Sequence, residues 1–273
     1  MAETLRIGLL QGPTGLPADP AASLAALERA AAQAAGRGVR LLVTSEMFLT
    51  GYALGATVAA LAEPADGPAA RQIAAIAARH RVAVVHGYPE RDGDRVHNAA
   101  RLTGPDGTAL ADYRKTHLFG GYERSVFTPG DRPLAQATLD GVRIGLLVCY
   151  DVEFPEAVRA HALAGTELLV VPTALMRPYE FVARTLLPAR AFENGLHIAY
   201  VNRCGPEGEY DFLGGSCLAG PDGVVRARAG TGPELLVADA DMALLRTTRE
   251  QNPYLTDRRP ELYGSLAARR TAR

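Results

Sequence analysis

The sequence predicts an α/β fold in which two similar sheets stack as a four-layer α-β-β-α sandwich. Apolar, strand-like runs alternate with Ala-rich segments of helical periodicity, which is the pattern of βαβ units. A Gly-Pro-Asp-Gly turn interrupts this alternation twice, at 104–107 and at 220–223. A strand–helix–strand unit that ends twice in the same hairpin turn favours two sheets over one continuous parallel sheet.

Six apolar runs have the length and composition of buried strands. These runs are Leu5–Gln11, Val39–Glu46, Val82–Pro89, Val142–Cys149, Leu168–Thr173 and His197–Asn202. The segments between them that space apolar residues as a helix does are Ala21–Ala35, Ala69–His80, Pro155–Ala164 and Tyr179–Asn194. In both hairpin turns Pro fixes φ, Asp bonds to the local backbone and Gly accepts a positive φ.

The length of 273 residues fits one large α/β domain, and no low-complexity linker divides the chain. We therefore expect a single domain over residues 1–273. Residues 253–273 are expected to be an Arg-rich tail that is either solvated or packed on a partner subunit.

The charge balance excludes some partners. Lys plus Arg total 29 against 30 for Asp plus Glu, so there is no basic excess to hold nucleic acid. No run approaches the roughly 18 consecutive apolar residues of a membrane-spanning helix. The chain begins with a strand-like run and has no signal-peptide pattern. We expect a cytoplasmic protein with neither a nucleic-acid nor a membrane partner.

The cysteines are Cys149, Cys204 and Cys217, and their odd number and wide spacing fit neither a disulfide framework nor a zinc site. Cys149 stands at a strand-to-helix turn, where backbone N–H groups and a helix N-terminus stabilise a thiolate and an oxyanion. Asp151 is expected to cap the following helix, with Pro155 in its first turn. A buried core thiol is the alternative for Cys149 and the preferred interpretation of the other two cysteines.

Two more residues are candidates for chemistry. Lys115 is the only lysine among 29 basic residues. A bias toward Arg codons explains the arginines but not the one lysine, a compact ammonium whose pKa shifts readily. Glu46 ends a strand, and at the apolar end of a sheet its pKa would rise toward that of a useful base. The alternative is a solvated glutamate. None of the six histidines stands out as a base.

These three residues lie in the motifs S-E-M-F-L-T-G-Y, Y-R-K-T-H-L-F-G and L-L-V-C-Y-D-V-E-F-P-E. In order and spacing the motifs resemble the Glu-Lys-Cys triad of the nitrilase superfamily of carbon–nitrogen hydrolases, over nearly the whole chain. Glu123 matches a second active-site glutamate of that family. The segments G-Y-P-E-R, E-R-S-V-F-T-P-G and N-P-Y-L-T-D-R-R-P-E-L look like the aliphatic amidase branch that includes 5-aminopentanamidase. The resemblance implies an α-β-β-α sandwich, a homodimer or larger homo-oligomer, and no metal or organic cofactor.

The resemblance also implies a division of roles. Cys149 would attack the amide carbon while Glu46 moves the proton, and Lys115 with the Tyr150 N–H would stabilise the oxyanion. Glu123 would orient Lys115 or the substrate amide. The expected reaction converts a small aliphatic primary amide to its acid and ammonia through a thioester. Hydrolysis of N-carbamoyl amines or amino acids, nitrile hydrolysis and a non-catalytic scaffold remain as alternatives.

The candidate substrate-binding residues are Tyr52, Tyr150, Glu153 and Thr173. Superfamily enzymes that take carboxylate-bearing substrates tend to place Arg in the stretch occupied here by Glu153, because Arg binds an acid bidentately. Glu153 would instead attract the cationic tail of an ω-amino or ω-guanidino amide such as 5-aminopentanamide. The alternative is that Glu153 caps or pairs locally at the start of the helix.

Overall fold

The computed structural model describes residues 3–17 and 19–264. The strands, in chain order, are β1 (Thr4–Gln11), β2 (Leu41–Thr44), β3 (Ala83–Asp92), β4 (Arg95–Thr103), β5 (Ala109–Arg114), β6 (Gln136–Leu139), β7 (Val142–Leu146), β8 (Leu168–Thr173), β9 (His197–Asn202), β10 (Cys204–Glu207), β11 (Tyr210–Leu213), β12 (Cys217–Ala219), β13 (Val225–Arg228) and β14 (Glu234–Asp241). They form two six-stranded sheets, β14-β1-β2-β3-β4-β5 and β13-β12-β9-β8-β7-β6, while β10 and β11 pair with each other.

Helices lie between and after these strands along the chain. They are α1 (Pro20–Gly36), α2 (Val58–Leu61), α3 (Pro68–His80), α4 (Gly120–Val126), α5 (Pro155–Leu163), α6 (Leu187–Asn194), α7 (Met242–Gln251) and α8 (Tyr254–Asp257). Apolar residues of α1 and α3 pack on the first sheet, and those of α5 and α6 pack on the second. The predicted α-β-β-α sandwich is therefore confirmed. None of the helices in the described ranges is long and apolar enough to cross a membrane.

The two sheets repeat one plan. Each contains three parallel strands, β1-β2-β3 or β7-β8-β9, followed by an antiparallel hairpin. The hairpin turns are the two Gly-Pro-Asp-Gly segments, closed by bonds of 2.9 Å from Gly107 N–H to the Gly104 carbonyl and from Gly223 N–H to the Gly220 carbonyl. Both closing glycines have positive φ, +87° and +78°. The turn chemistry predicted from the sequence thus places both hairpins correctly.

The core lies between the sheets and follows the alternation of each strand. Leu5, Ile7 and Leu9 of β1 are fully buried in the same cluster as Ile144 of β7 and Val170 of β8. Successive side chains of a strand point to opposite faces, so one face of each sheet can fill this core while the other meets helices. The packing of the two sheets fixes the position of one set of strand ends relative to the other.

Two strands end earlier than the sequence predicted, and the difference concerns the candidate site. The run expected to reach Glu46 pairs only as far as Thr44, and the run expected to reach Cys149 ends at Leu146. Cys149 has a φ of +46°, a left-handed conformation that cannot continue a strand. Glu46 and Cys149 therefore lie on turns beyond the strands.

Other differences are local. The helix predicted over 179–194 contains a π-helical segment, Val182–Leu186, before α6. Residues 253–264 of the predicted tail include α8 and the 3₁₀ turn Pro260–Leu262, and their side chains are exposed or half-buried. Residues 265–273 lie outside the described residues.

Gly87 of β3 passes unusually close to the chain that carries Glu46. A Cβ atom on Gly87 would lie 2.6 Å from the Ser45 carbonyl oxygen and 2.7 Å from the Met47 nitrogen. We expect Gly87→Ala to push this segment away, lowering the free energy of unfolding by about 1–3 kcal/mol and lowering kcat. Gly36→Ala is the control, because nothing lies within 4 Å of its Cβ position. Thermal melts and kinetics that match for the two variants would contradict the prediction.

Candidate active site

Residues that follow strands of both sheets form the candidate site. Glu46 follows β2 and Lys115 follows β5 of the first sheet, whereas Cys149 follows β7 of the second. Glu123 lies in the first turn of α4. All four side chains are buried, so the structure brings together the residues that the sequence proposed as catalytic.

Lys115 lies between two carboxylates. Its Nζ donates to Glu46 Oε1 at 2.7 Å and to Glu123 Oε1 at 2.6 Å. Burial alone would lower the pKa of Lys115, but these two carboxylates together outweigh burial and raise its pKa well above the ordinary value. Lys115 is therefore an ammonium held in a fixed position.

The two oxygens of Glu46 have different surroundings. Oε1 accepts from Lys115 and, at 2.6 Å, from Asn98 Nδ2. Oε2 is buried and has no hydrogen-bond partner among the described residues. Burial raises the pKa of Glu46, the Glu123 charge adds to this, and Lys115 opposes it. The rise expected from the sequence is confirmed in direction, and Oε2 is free to accept a proton.

Glu123 holds Lys115 from the other side. Its Oε1 also accepts from the Tyr52 hydroxyl at 2.8 Å, and its Oε2 accepts from the Phe119 N–H at 2.7 Å. Both oxygens are thus engaged by the protein. This arrangement suits a residue that orients Lys115 better than one that exchanges protons.

Cys149 begins a short 3₁₀ turn, Cys149–Glu153. Burial raises the pKa of its thiol well above the ordinary value, and the Glu46 charge raises it further, against smaller opposing effects of Lys115 and the Ala174 backbone. The backbone thus lowers the pKa of the thiol, in the direction that the sequence predicted for this turn, but burial and the nearby carboxylate outweigh it. Cys149 rests as a thiol and needs a base.

Asp151 connects the cysteine turn to the lysine segment. Its Oδ1 accepts from Thr116 Oγ1 at 2.9 Å and from the His117 N–H at 2.9 Å, and it lies 2.8 Å from His117 Nδ1. Its Oδ2 accepts from the Val148 N–H at 3.2 Å. The prediction that Asp151 caps α5 is wrong, because Pro155 opens that helix after Phe154. Asp151 instead caps the preceding 3₁₀ turn through Oδ2 and binds the distant segment Thr116–His117 through Oδ1.

A buried ion pair holds the loop between Glu46 and Tyr52. Arg203 pairs with Glu207 and donates through Nη1 to the Glu46 carbonyl at 3.3 Å. Glu207 Oε1 accepts from the N–H groups of Tyr52 and Ala53 at 2.5 and 2.7 Å. The pair thus fixes both ends of the loop.

Sequence reasoning missed Asn98, Arg203 and Glu207. The detectable signal for Asn98 is a polar residue that shares the inward face of β4 with Ala100 and Leu102. Arg203 and Glu207 are only four residues apart, but the loop they hold lies more than 150 positions away along the chain, so nothing local indicates their role.

A pocket of about 570 Å³, including its open mouth, leads to Cys149. Its lining is mostly apolar and aromatic and consists of Tyr52, Phe119, Cys149, Tyr150, Glu153, Ala174, Leu175, Met176 and Tyr179. Thr173 is not in this lining. Its side chain is buried and donates to the Val171 carbonyl at 3.0 Å, while its own carbonyl accepts from the Glu46 N–H at 3.3 Å. The described residues contain no group of three or more His, Cys, Asp or Glu that could hold a metal ion.

Comparisons with known proteins agree with this geometry. Residues 6–250 match the family model of the carbon-nitrogen hydrolases. The chain is 46% identical over 269 residues to a protein of Pseudomonas protegens named "Hydrolase in pqqF 5'region", covering 98% of this chain and 93% of that protein. It is 40% identical over 261 residues to an (R)-stereoselective amidase of a Pseudomonas species, covering 95% of this chain and 93% of the relative.

This chain is also similar to solved structures of an amidase. A double mutant of the amidase from Nesterenkonia sp. AN1 in complex with acrylamide aligns with a TM-score of 0.88 at 39% identity, covering 97% of this chain and 98% of that one. Another mutant of that amidase aligns with a TM-score of 0.85 at 40% identity, covering 95% of each chain. It shows covalent addition of the acetamide moiety of fluoroacetamide at the active site cysteine.

Arg203 and Glu207 offer a test of how the site is held. We expect Arg203→Met to cost about 3–5 kcal/mol of unfolding free energy, because the substitution leaves a buried carboxylate unpaired. The double variant with Glu207→Gln should cost less than the sum of the single variants. Arg6→Met is the control, since its ion pair with Asp239 is exposed to solvent and contributes little to stability. Additive single effects in denaturant titrations would argue against a coupled clamp.

Proposed function

Because the chain belongs to the carbon–nitrogen hydrolase family, we propose that it hydrolyses small aliphatic primary amides through a thioester on Cys149. The observation that carries this proposal is the buried hydrogen-bonded set Glu46–Lys115–Glu123 next to a cysteine at the base of an apolar pocket. The set supplies a base, a fixed cation and a nucleophile, which are the groups that acyl transfer requires.

Acylation begins with proton transfer from the Cys149 thiol to Glu46 Oε2. The sulfur attacks the amide carbon, and negative charge moves onto the carbonyl oxygen. Lys115 Nζ and the Tyr150 N–H stabilise that oxyanion. Glu46 then gives its proton to the amide nitrogen, the carbon–nitrogen bond breaks, and ammonia leaves a thioester on Cys149.

Deacylation uses the same groups. Glu46 Oε2 takes a proton from water while the water oxygen attacks the thioester carbon. Lys115 again stabilises the oxyanion. When the carbon–sulfur bond breaks, Glu46 returns the proton to the Cys149 sulfur and the carboxylic acid is released, so every proton is accounted for and the enzyme is regenerated.

The pocket favours amides over N-carbamoyl amino acids. A carboxylate-bearing substrate calls for a cation in the outer part of the pocket, such as an arginine. Among the described lining residues the charged side chain is instead Glu153. Nitrile hydrolysis is also less favoured, because true nitrilases tend to carry Trp after the cysteine and this chain has Tyr150 and no tryptophan.

Cys149→Ala should abolish ammonia release from aliphatic amides, since no other described thiol lines the pocket. Cys217→Ala is the matched control, because Cys217 is a buried core thiol in β12. Intact-protein mass spectrometry of wild type quenched during turnover should find the acyl group on the Cys149 peptide. Ammonia release by Cys149→Ala at the wild-type rate would disprove the mechanism.

We further propose that Glu153 selects amides with a cationic tail. Its side chain lines the pocket and is half-buried, and burial raises the pKa of its carboxyl. The charges of Lys115 and Arg190 oppose that rise. Arg190 forms no ion pair with the Glu153 carboxylate among the described residues, because its guanidinium donates to the Val152 and Glu153 carbonyls and pairs with Glu193. Among the described residues, the Glu153 carboxylate makes no hydrogen bond to the start of α5, so the local capping alternative has no support. A substrate ammonium would complete the pair.

The test compares 5-aminopentanamide with hexanamide, which has the same length and no charge. Wild type should give the higher kcat/KM with the cation, and Glu153→Gln should shrink that ratio. Because an ionised carboxylate is needed, the preference should grow as the pH rises through the raised pKa of Glu153, and it should weaken with salt. Glu156→Gln, on the exposed first turn of α5, is the control. A preference for hexanamide, or a ratio unchanged by Glu153→Gln, would refute the proposal.

A further inference from the structure

Asn98 contacts both charged partners at the centre of the site. Its Nδ2 donates to Glu46 Oε1 at 2.6 Å, and its backbone carbonyl accepts from the Lys115 N–H at 2.8 Å. The side chain is 1% exposed. One strand residue therefore determines where the carboxylate and the ammonium segment lie relative to each other.

We propose that Asn98 is a positioning residue that makes Glu46 work through a single oxygen, Oε2, in both halves of the reaction. The proposal rests on the proposed amide hydrolysis, since it assigns a cause to the behaviour of the same base. It adds a residue that the Glu-Lys-Cys triad does not include.

The two oxygens of the Glu46 carboxylate differ in their hydrogen bonds. Two donors, Asn98 Nδ2 and Lys115 Nζ, fill the available positions on Oε1 and draw negative charge toward it. A proton therefore binds at Oε2, the oxygen without a partner among the described residues. Without Asn98, Oε1 would keep one donor and the carboxylate could rotate, so the proton would no longer be confined to the oxygen that serves the sulfur and the leaving nitrogen.

The position of Asn98 argues against a purely structural role. It shares the inward face of β4 with Ala100 and Leu102, where an apolar side chain would fill the space without the cost of burying an amide. Asn98 Oδ1 is itself buried and has no partner among the described residues. The bond that the side chain makes is the one from Nδ2 to Glu46, so the amide is used as a donor to that carboxylate.

Removal of the Asn98 donor should change the pKa of Glu46 in a definite direction. A hydrogen bond to the ionised form favours that form, so losing it raises the pKa of Glu46. The other charged or titratable groups facing Glu46 are Lys115, Glu123, Cys149 and Tyr52, with Arg203 at its backbone carbonyl. These remain in place when Asn98 is replaced. Since Glu46 must be ionised to accept the thiol proton, activity is lost as the pH falls through its pKa, and a higher pKa moves that loss to higher pH.

The experiment measures kcat/KM for a neutral aliphatic amide against pH in wild type, Asn98→Leu and Asn98→Asp. Leu keeps the approximate shape of the side chain and removes the donor. We expect the acid limb of the pH profile to move up by about one pH unit, and kcat at the pH optimum to fall about tenfold. Asp adds a negative charge beside Glu46, so its limb should move up at least as far. Asn194→Leu is the control, because Asn194 is equally buried but its Nδ2 donates to the Arg190 carbonyl on α6.

The outcomes separate the two proposals. Acid limbs that move up in both Asn98 variants, with the control at the wild-type value, support the assignment. Suppose that an Asn98 variant still unfolds in a cooperative thermal transition. If the acid limb of its pH profile then lies at the wild-type pH, the assignment of Asn98 is overturned, even if the rate falls. If wild type itself releases no ammonia from any amide, the proposed function fails and the role of Asn98 fails with it.

Discussion

The central interaction of this protein is an ammonium shared by two buried carboxylates. Lys115 lies within 2.7 Å of both Glu46 and Glu123 in a region that excludes solvent. Burying such charges costs several kcal/mol per ion and is repaid only when the geometry is tight and the remaining polar atoms are bonded. The surroundings meet that demand at every oxygen of these two carboxylates except Oε2 of Glu46, the position that the proposed chemistry uses.

The sandwich matters because no single sheet holds the site. Glu46 and Lys115 follow strands of the first sheet, and Cys149 follows a strand of the second. Their alignment therefore depends on the core between the sheets and on specific ties across it. Asp151 is one such tie, since one carboxylate binds both the turn of Cys149 and the segment after Lys115. A change in sheet packing would alter the distance between nucleophile and base.

The sequence predicted what local patterns encode. Two buried parallel strands, Leu168–Thr173 and His197–Asn202, have the predicted bounds, because a short apolar run flanked by turns specifies such a strand. The local context of Asp151 predicts a cap of α5, but the carboxylate caps the 3₁₀ turn before that helix and binds the distant segment Thr116–His117, which local context does not reveal. Arg203 lies 157 positions along the chain from Glu46, whose loop it holds. Supports of this kind depend on tertiary contacts and leave no periodic signal.

The charges of the site also determine when Cys149 reacts. Burial raises the pKa of both Glu46 and Cys149. The Glu46 charge raises the pKa of Cys149 further, whereas Lys115 opposes the rise at both groups. A thiolate is the reactive form of cysteine toward oxidants and electrophiles, so a buried neutral thiol is comparatively inert. In the proposed reaction the thiol proton moves only when a bound carbonyl oxygen beside Lys115 can take up the charge. The same burial that opposes ionisation in the free enzyme thus strengthens the interaction of Lys115 with the oxyanion, and it couples reactivity to the presence of substrate.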